Sequence, residues 1–172
     1  HLTWKKEYLD PSQRCLPAGV TRASMGGFFQ LFQPPGYVVI RYESRLVARI
    51  IPIDSRPHLG PDIKLWLGDS RGRWEGNTLV VDVTNHNDKT WLSRVGDLHS
   101  DAMRVVERWT FTDNTIRYRA TIEDPAVFTR PWTIGWGFER VTTTPFELLE
   151  TACWEGEKNK TSNPLGTGPL HK

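Results

Sequence analysis

Hydrophobic and polar residues alternate with a period of two through most of the middle of this chain. Leu79, Val81 and Val83 alternate with Val80, Asp82 and Thr84, the pattern of a half-buried strand. Val38, Ile40 and Tyr42 share one face of Tyr37 to Glu43, and Leu46, Ala48 and Ile50 share one face of Arg45 to Pro52. Phe28 to Phe32 reads as a short apolar strand stopped by Pro34-Pro35. Further strands are expected over Leu65 to Leu67, Gly72 to Glu75, Arg104 to Thr112, Thr115 to Glu123, Arg130 to Val141 and Phe146 to Glu155. Gly76-Asn77 and Asp113-Asn114 are hairpin signals, because these residue types accept the left-handed backbone of a tight turn. No long amphipathic helix is visible, and a helical turn is expected only around Thr90 to Val95.

Eight or so sequential strands joined by short turns predict an all-β fold, an antiparallel up-and-down, lipocalin-like β-barrel. A two-sheet β-sandwich is the alternative, since periodicity does not separate the two. The expected layout is one domain. Residues 1–24, with turn signals at Asp10-Pro11 and Leu16-Pro17-Ala18-Gly19, form an irregular N-terminal segment, residues 25–156 the barrel, and residues 157–172 a Gly- and Pro-rich tail.

Composition narrows the function classes. A content of 38% hydrophobic and 24% charged residues argues against wholesale disorder. A net charge of only +2, with acids and bases interleaved, argues against a nucleic-acid partner. No apolar run approaches the roughly twenty residues needed to span a membrane. The chain opens on His1-Leu2-Thr3-Trp4, which reads as a processed or trimmed product. A mature His1 would offer an amine and an imidazole to copper beside a second histidine, but no other feature supports this. Cys15 and Cys153 sit near opposite ends. A bridge between them would close nearly the whole chain and stabilise it by about 4 to 5 kcal/mol in the chain-entropy model. It would also favour an exported, oxidising location; two unrelated buried thiols are the alternative.

Face assignment locates candidate chemistry. Val105, Glu107, Trp109 and Phe111 point one way, as do Leu148, Glu150, Ala152 and Trp154. Glu107 and Glu150 thus fall on apolar faces, where a carboxylate is costly unless paired, hydrogen-bonded or protonated. A carboxyl group with a raised pKa suits general acid–base work. The competing reading is that each Glu bonds an Arg in a structural network, or that a bulge turns it outward. Arg117, Arg119 and Glu123, on the alternate face of their strand, read as a solvated, charge-laced surface.

His99 in His99-Ser100-Asp101, with Asp88 and His58, would make an acid–base cluster or a metal site of nitrogen and oxygen ligands. No two histidines have the short spacing of a metal motif, so no metal is expected. Of the eight tryptophans, Trp109, Trp132, Trp136 and Trp154 share apolar faces. Trp66, Trp74 and Trp91 flank polar turns, where they would stack on sugar or aromatic rings while Asp, Asn and Arg bind hydroxyls. There is no Gly-x-Ser-x-Gly elbow, no Walker or Rossmann glycine pattern and no nucleophilic cysteine setting, so no cofactor is expected.

The stretch from Arg56-Pro57-His58 through Gly68-Asp69-Ser70-Arg71-Gly72-Arg73-Trp74-Glu75-Gly76-Asn77-Thr78-Leu79-Val80-Val81-Asp82 resembles a group of exported bacterial proteins without an established activity. The likeness continues through Asn87-Asp88-Lys89-Thr90-Trp91, His99-Ser100-Asp101-Ala102, Val106-Glu107-Arg108 and Ile122-Glu123-Asp124-Pro125. The resemblance implies export and supplies no mechanism. Lipocalin-like barrels, a likeness of architecture alone, host both ligand carriers and cofactor-free lyases, isomerases and cyclases.

These features lead to an expected cofactor-independent lyase, isomerase or cyclase. A small cyclic, hydroxylated or aromatic substrate would enter at a rim formed by the 54–72 and 85–101 loops. Glu107 or Asp88 would be the acid or base, with His99 and Asp101 as partners and Arg71 binding an anionic or carbonyl group. Trp74 and Trp91 would position the ring. His58, Asp69, Asn85, Asn87, Trp109 and Glu150 complete the expected binding set. The alternative is a non-catalytic binding protein for a sugar or hydrophobic metabolite, and a third reading is a metal-dependent hydrolase or oxidase. The oligomeric state is left open.

Overall fold

A computed structural model describes residues 10–25, 27–43, 47–93, 96–143 and 145–149. In chain order they form a 3-10 turn (Pro11–Arg14), the one-turn helix α1 (Val20–Ala23), and eight strands: β1 (Phe29–Phe32), β2 (Tyr37–Tyr42), β3 (Ala48–Pro52), β4 (Asp69–Glu75), β5 (Thr78–Thr84), β6 (Arg104–Phe111), β7 (Thr115–Glu123) and β8 (Trp132–Glu139). Every ladder joins sequential strands and is antiparallel.

The expected closed barrel is not formed. The strands divide into a three-stranded sheet, β1-β2-β3, and a five-stranded sheet, β4-β5-β6-β7-β8, the arrangement of the β-sandwich alternative. Closure requires hydrogen bonds across every seam. Between β3 and β4 the chain makes no ladder, because the polar connection with Pro57 and Pro61 is far longer than a hairpin turn.

The strand expectations hold in outline, with three corrections. The separate strands at Leu65–Leu67 and Gly72–Glu75 are replaced by one strand starting at Asp69, and Leu65 makes only an isolated parallel bridge to His86. No helix forms over the described part of 90–95. Residues 146–149 are not strand, and the remainder of that expected strand, with Glu150, Cys153 and Trp154, lies outside the described residues. The segment read as irregular contains the 3-10 turn and α1, whose four residues are all buried. His1 and the tail also lie outside the described residues. Cys15 carries no free thiol, and its expected partner Cys153 is not described.

Alternation decides the core. Val38, Ile40 and Tyr42 face inward from β2, Leu79, Val81 and Val83 from β5, and Tyr118, Ala120 and Ile122 from β7. Trp109 of β6 is fully buried against Phe138, near-parallel at 5.9 Å, and Tyr118, edge-on at 4.6 Å. Ala48 and Ile50 of β3 point to solvent, whereas Arg49 and Ile51 point inward. Ile51 pairs with Val38 and Arg49 with Ile40, and directly opposed residues share a face. An arginine is thereby delivered into the apolar layer between the sheets.

Candidate functional site

Arg49 meets Glu107 in the interior. Its Nη1 donates to Glu107 Oε1 at 2.9 Å, and its Nη2 donates to Glu107 Oε2. Nε and Nη2 both reach Ser70 Oγ, at 3.2 and 2.9 Å, and the Tyr118 hydroxyl donates to Glu107 Oε1 at 2.8 Å. Glu107 is 0% exposed and Arg49 3%. Burial opposes the guanidinium charge, but the adjoining carboxylate outweighs it and holds the Arg49 pKa above its ordinary value. Burial, and then the Glu107 charge, push the Tyr118 phenol well above its usual range. Glu107 therefore faces inward as the alternation predicts, and its partners match the structural-network reading. The bonds tie β3 of one sheet to β4, β6 and β7 of the other. Arg49, Ser70 and Tyr118 were not anticipated; the available signal was one charged residue of each sign at interior strand positions.

A second cluster forms where the 54–64 loop folds over the start of β4. Arg71 lies directly opposite Asp82 in the β4–β5 register, and Asp69 sits two residues away on the same face. Asp69, almost wholly buried, receives three donors: His58 Nδ1 at 2.8 Å and the Leu59 amide at 3.0 Å on Oδ2, and Arg71 Nη1 at 2.6 Å on Oδ1. Arg71 Nε also donates to the Pro57 carbonyl at 2.8 Å. The imidazole is thus fixed in place by a buried carboxylate, yet His58 keeps 26% of its side-chain surface exposed. Its Nε2 lies 3.5 Å from Asp82 Oδ2, a long ion-pair contact. Arg104 grips Asp82 through Nε at 2.8 Å and Nη2 at 3.0 Å. Partial burial raises the Asp82 pKa, but the Arg104 bonds and charge, with a smaller contribution from His58, leave it below the ordinary carboxylate value.

The 85–103 segment packs beside this cluster, so the two expected rim loops do meet. Asn85, in the left-handed conformation at φ 58°, donates from Nδ2 to the carbonyls of Leu59, Gly60 and Ile63. Lys64 pairs with Asp101 at 3.1 Å. Asn87 accepts the Lys89 amide, and Asp88 is exposed in the following turn. His99 is buried: its Nε2 lies 2.6 Å from Thr90 Oγ1 and its Nδ1 2.9 Å from the Ser100 carbonyl. Buried Asp124 accepts from the Ser100 amide and hydroxyl, anchoring the segment to the end of β7.

The structure therefore divides the expected catalytic set. Glu107 is in the interior, His99 is buried under the 85–103 segment, Arg71 is at the rim, and Asp88 and Asp101 are on the surface. Of the expected binding residues, His58, Asp69 and Asn85 come together at the rim, whereas Trp109 is enclosed in the core. Trp91 is half-buried, and Trp74, 37% exposed, tilts against Phe111 at 5.6 Å. Among the described residues no group of three or more His, Cys, Asp or Glu side chains is placed to hold a metal ion. No protein family matches the chain, and neither the curated proteins nor the solved structures include a significant match.

Proposed function

We propose that this chain is a cofactor-independent, exported acid–base protein acting on a small hydroxylated or carbonyl compound at the rim, with His58 as the proton-transfer residue. The observation that supports this reading is a partly exposed imidazole held between two carboxylates, with Asp69 2.8 Å from Nδ1 and Asp82 3.5 Å from Nε2. Asp69 fixes the orientation of the ring, as the orienting carboxylate does in other acid–base sites. The Asp82–Arg104 ion pair lies on the Nε2 side, where its outer edge would meet a polar substrate. Lyase and isomerase chemistry at such a site begins with removal of a proton adjacent to a carbonyl, a step that a placed base accelerates by about a hundred- to ten-thousand-fold.

The test is proton exchange in D2O, followed by NMR over a panel of small cyclic, hydroxylated and aromatic carbonyl compounds. Exchange catalysed by the parent chain and lost in His58→Gln supports the assignment. Exchange that is absent, or undiminished in that variant, refutes it. The second reading is a binding protein without turnover. It is favoured by the interior, where Trp109, Tyr118 and the Arg49–Glu107 pair occupy the space that an enclosed reaction chamber would need. Ligand line-broadening at the rim without exchange would select it.

A further inference from the structure

We propose that the outward face of β6 and β7 is a binding site for a small organic phosphate or sulfate ester. The same face carries Arg104 and Asp82 of the rim cluster, but none of the chemistry assigned above uses Arg108, Arg117 or Arg119. Arg108 of β6 stands directly opposite Arg119 of β7, and Arg117 projects from the same face two residues before Arg119. Like charges opposed across a ladder destabilise the sheet, so a merely solvated surface would not be expected to place them so. Arg108 shares Glu75 with Arg73, while Arg117 and Arg119 have no ion-pair partner among the described residues.

The arginines line a groove of about 490 Å³ with Val106, Thr121 and Thr133. That size is typical of small-ligand sites. Guanidinium groups present parallel N–H donors that match the oxygens of a phosphate or sulfate, the Thr121 and Thr133 hydroxyls, bonded to each other at 3.1 Å, leave one proton to donate, and Val106 offers an apolar contact. The neighbouring strand leaves room for Arg119, while a side chain at Gly137 would touch nothing. Gly135 lies opposite Arg119 and Gly137 opposite Arg117. A Cβ at Gly135 would come within 3.3 Å of Arg119 Cγ and 2.8 Å of the Tyr118 carbonyl, so glycine lets the arginine stem lie flat on β8. Glu75, Glu123 and Glu139 border the basic row, and the whole chain carries only +2. These acids would repel a long polyanion and leave room for a ligand with one or two oxyanions.

The probes are phenyl phosphate, phenyl sulfate and uncharged benzyl alcohol, titrated by NMR at low ionic strength into the full chain and into an Arg117→Gln/Arg119→Gln variant. One or both esters should bind, benzyl alcohol should not, and the variant should lose roughly tenfold or more in affinity. Both replaced side chains are exposed, so the variant should fold, and relief of the Arg108–Arg119 repulsion should leave its unliganded melting temperature equal or higher. Affinity that rises between pH 5.5 and 7.5 for phenyl phosphate alone identifies a phosphate dianion, whose second ionisation falls near pH 6. Comparable affinity for phenyl sulfate at both pH values identifies a site for either ester. Three results would overturn the proposal: neither ester binding, binding undiminished in the double variant, or tighter binding of a heparin octasaccharide or oligothymidylate through the same arginines.

Discussion

Replacing Glu107 with Gln keeps the size of the side chain and removes its charge. In the native chain Glu107 accepts three hydrogen bonds, two from Arg49 and one from Tyr118, in a setting closed to solvent. The variant leaves the Arg49 guanidinium buried without a counter-charge. Breaking a buried pair from one side costs about 3–5 kcal/mol. At roughly 2–4 °C per kcal/mol for a domain of this size, the melting temperature should fall by about 6–20 °C. The assay is urea unfolding followed by tryptophan fluorescence, run as a double-mutant cycle with Arg49→Met. Each single variant should lose several kcal/mol, and the double variant should lose clearly less than their sum, because it removes both charges together. A Glu107→Gln variant within about 1 kcal/mol of the parent, or strictly additive losses, would refute the reasoning. It would mean that water or a rearrangement compensates Arg49.

The remaining expectations concern the loop side of the fold and the cysteines. His86 is buried, and burial, then the neighbouring His99, outweigh a backbone contact with Val83 and lower its pKa from 6.5 to about 3. Below pH 6.5 the unfolded chain therefore takes up a proton that the folded chain refuses. Its stabilising contribution is fully present above pH 6.5 and declines toward pH 3, at up to about 1.4 kcal/mol per pH unit. Urea midpoints measured from pH 7 to 4 should show this slope, and His86→Leu should flatten it; an unchanged slope would reject the assignment. Gly68→Ala should destabilise by more than the roughly 1–3 kcal/mol of backbone strain alone. At φ 65° the added Cβ would also lie 2.6 Å from His86 Cε1 and 2.7 Å from the Thr84 carbonyl. A calorimetric melt equal to that of the parent would contradict this. If Cys15 and Cys153 are bridged, the unreduced, denatured chain should titrate no thiol, and reduction should cost about 2–5 kcal/mol. Two titratable thiols would favour the unpaired alternative.

The strands were legible where one face is apolar and the other polar, as in β5, β6 and β7, because burial on one side imposes the alternation. The pattern misled where polar residues go inward. Arg49 turns its neighbours Ala48 and Ile50 to solvent, and only the partner on β6, fifty-eight residues away, makes that orientation tolerable. Asp69-Ser70-Arg71, left between the strands expected at Leu65 to Leu67 and Gly72 to Glu75, is itself strand, because pairing with Asp82 to Thr84 overrides local propensity. The same limit applies to the candidate site. Local pattern placed Glu107 on the inward face and named His58, Asp69 and Arg71, but sequence separation hid which of them meet. His99 and Asp101, two residues apart, bond to Thr90 and Lys64 instead of to each other.

Satisfaction of polar groups separates the structural clusters from the functional candidates. Glu107, Asp69 and Asp124 each accept three or more hydrogen bonds from the protein, and any ligand reaching them would have to displace partners already well placed. Such groups hold strands and loops together. His58 Nε2 and the Arg117–Arg119 pair differ: Nε2 has only the 3.5 Å contact with Asp82, and the two exposed arginines have no ion-pair partner among the described residues. A group that is incompletely bonded within the protein binds a ligand without first breaking a strong internal contact, so less of the interaction energy is offset. By this criterion His58 and the paired arginines, and not the deeply buried Glu107 that alternation first singles out, are where substitution should change function more than stability.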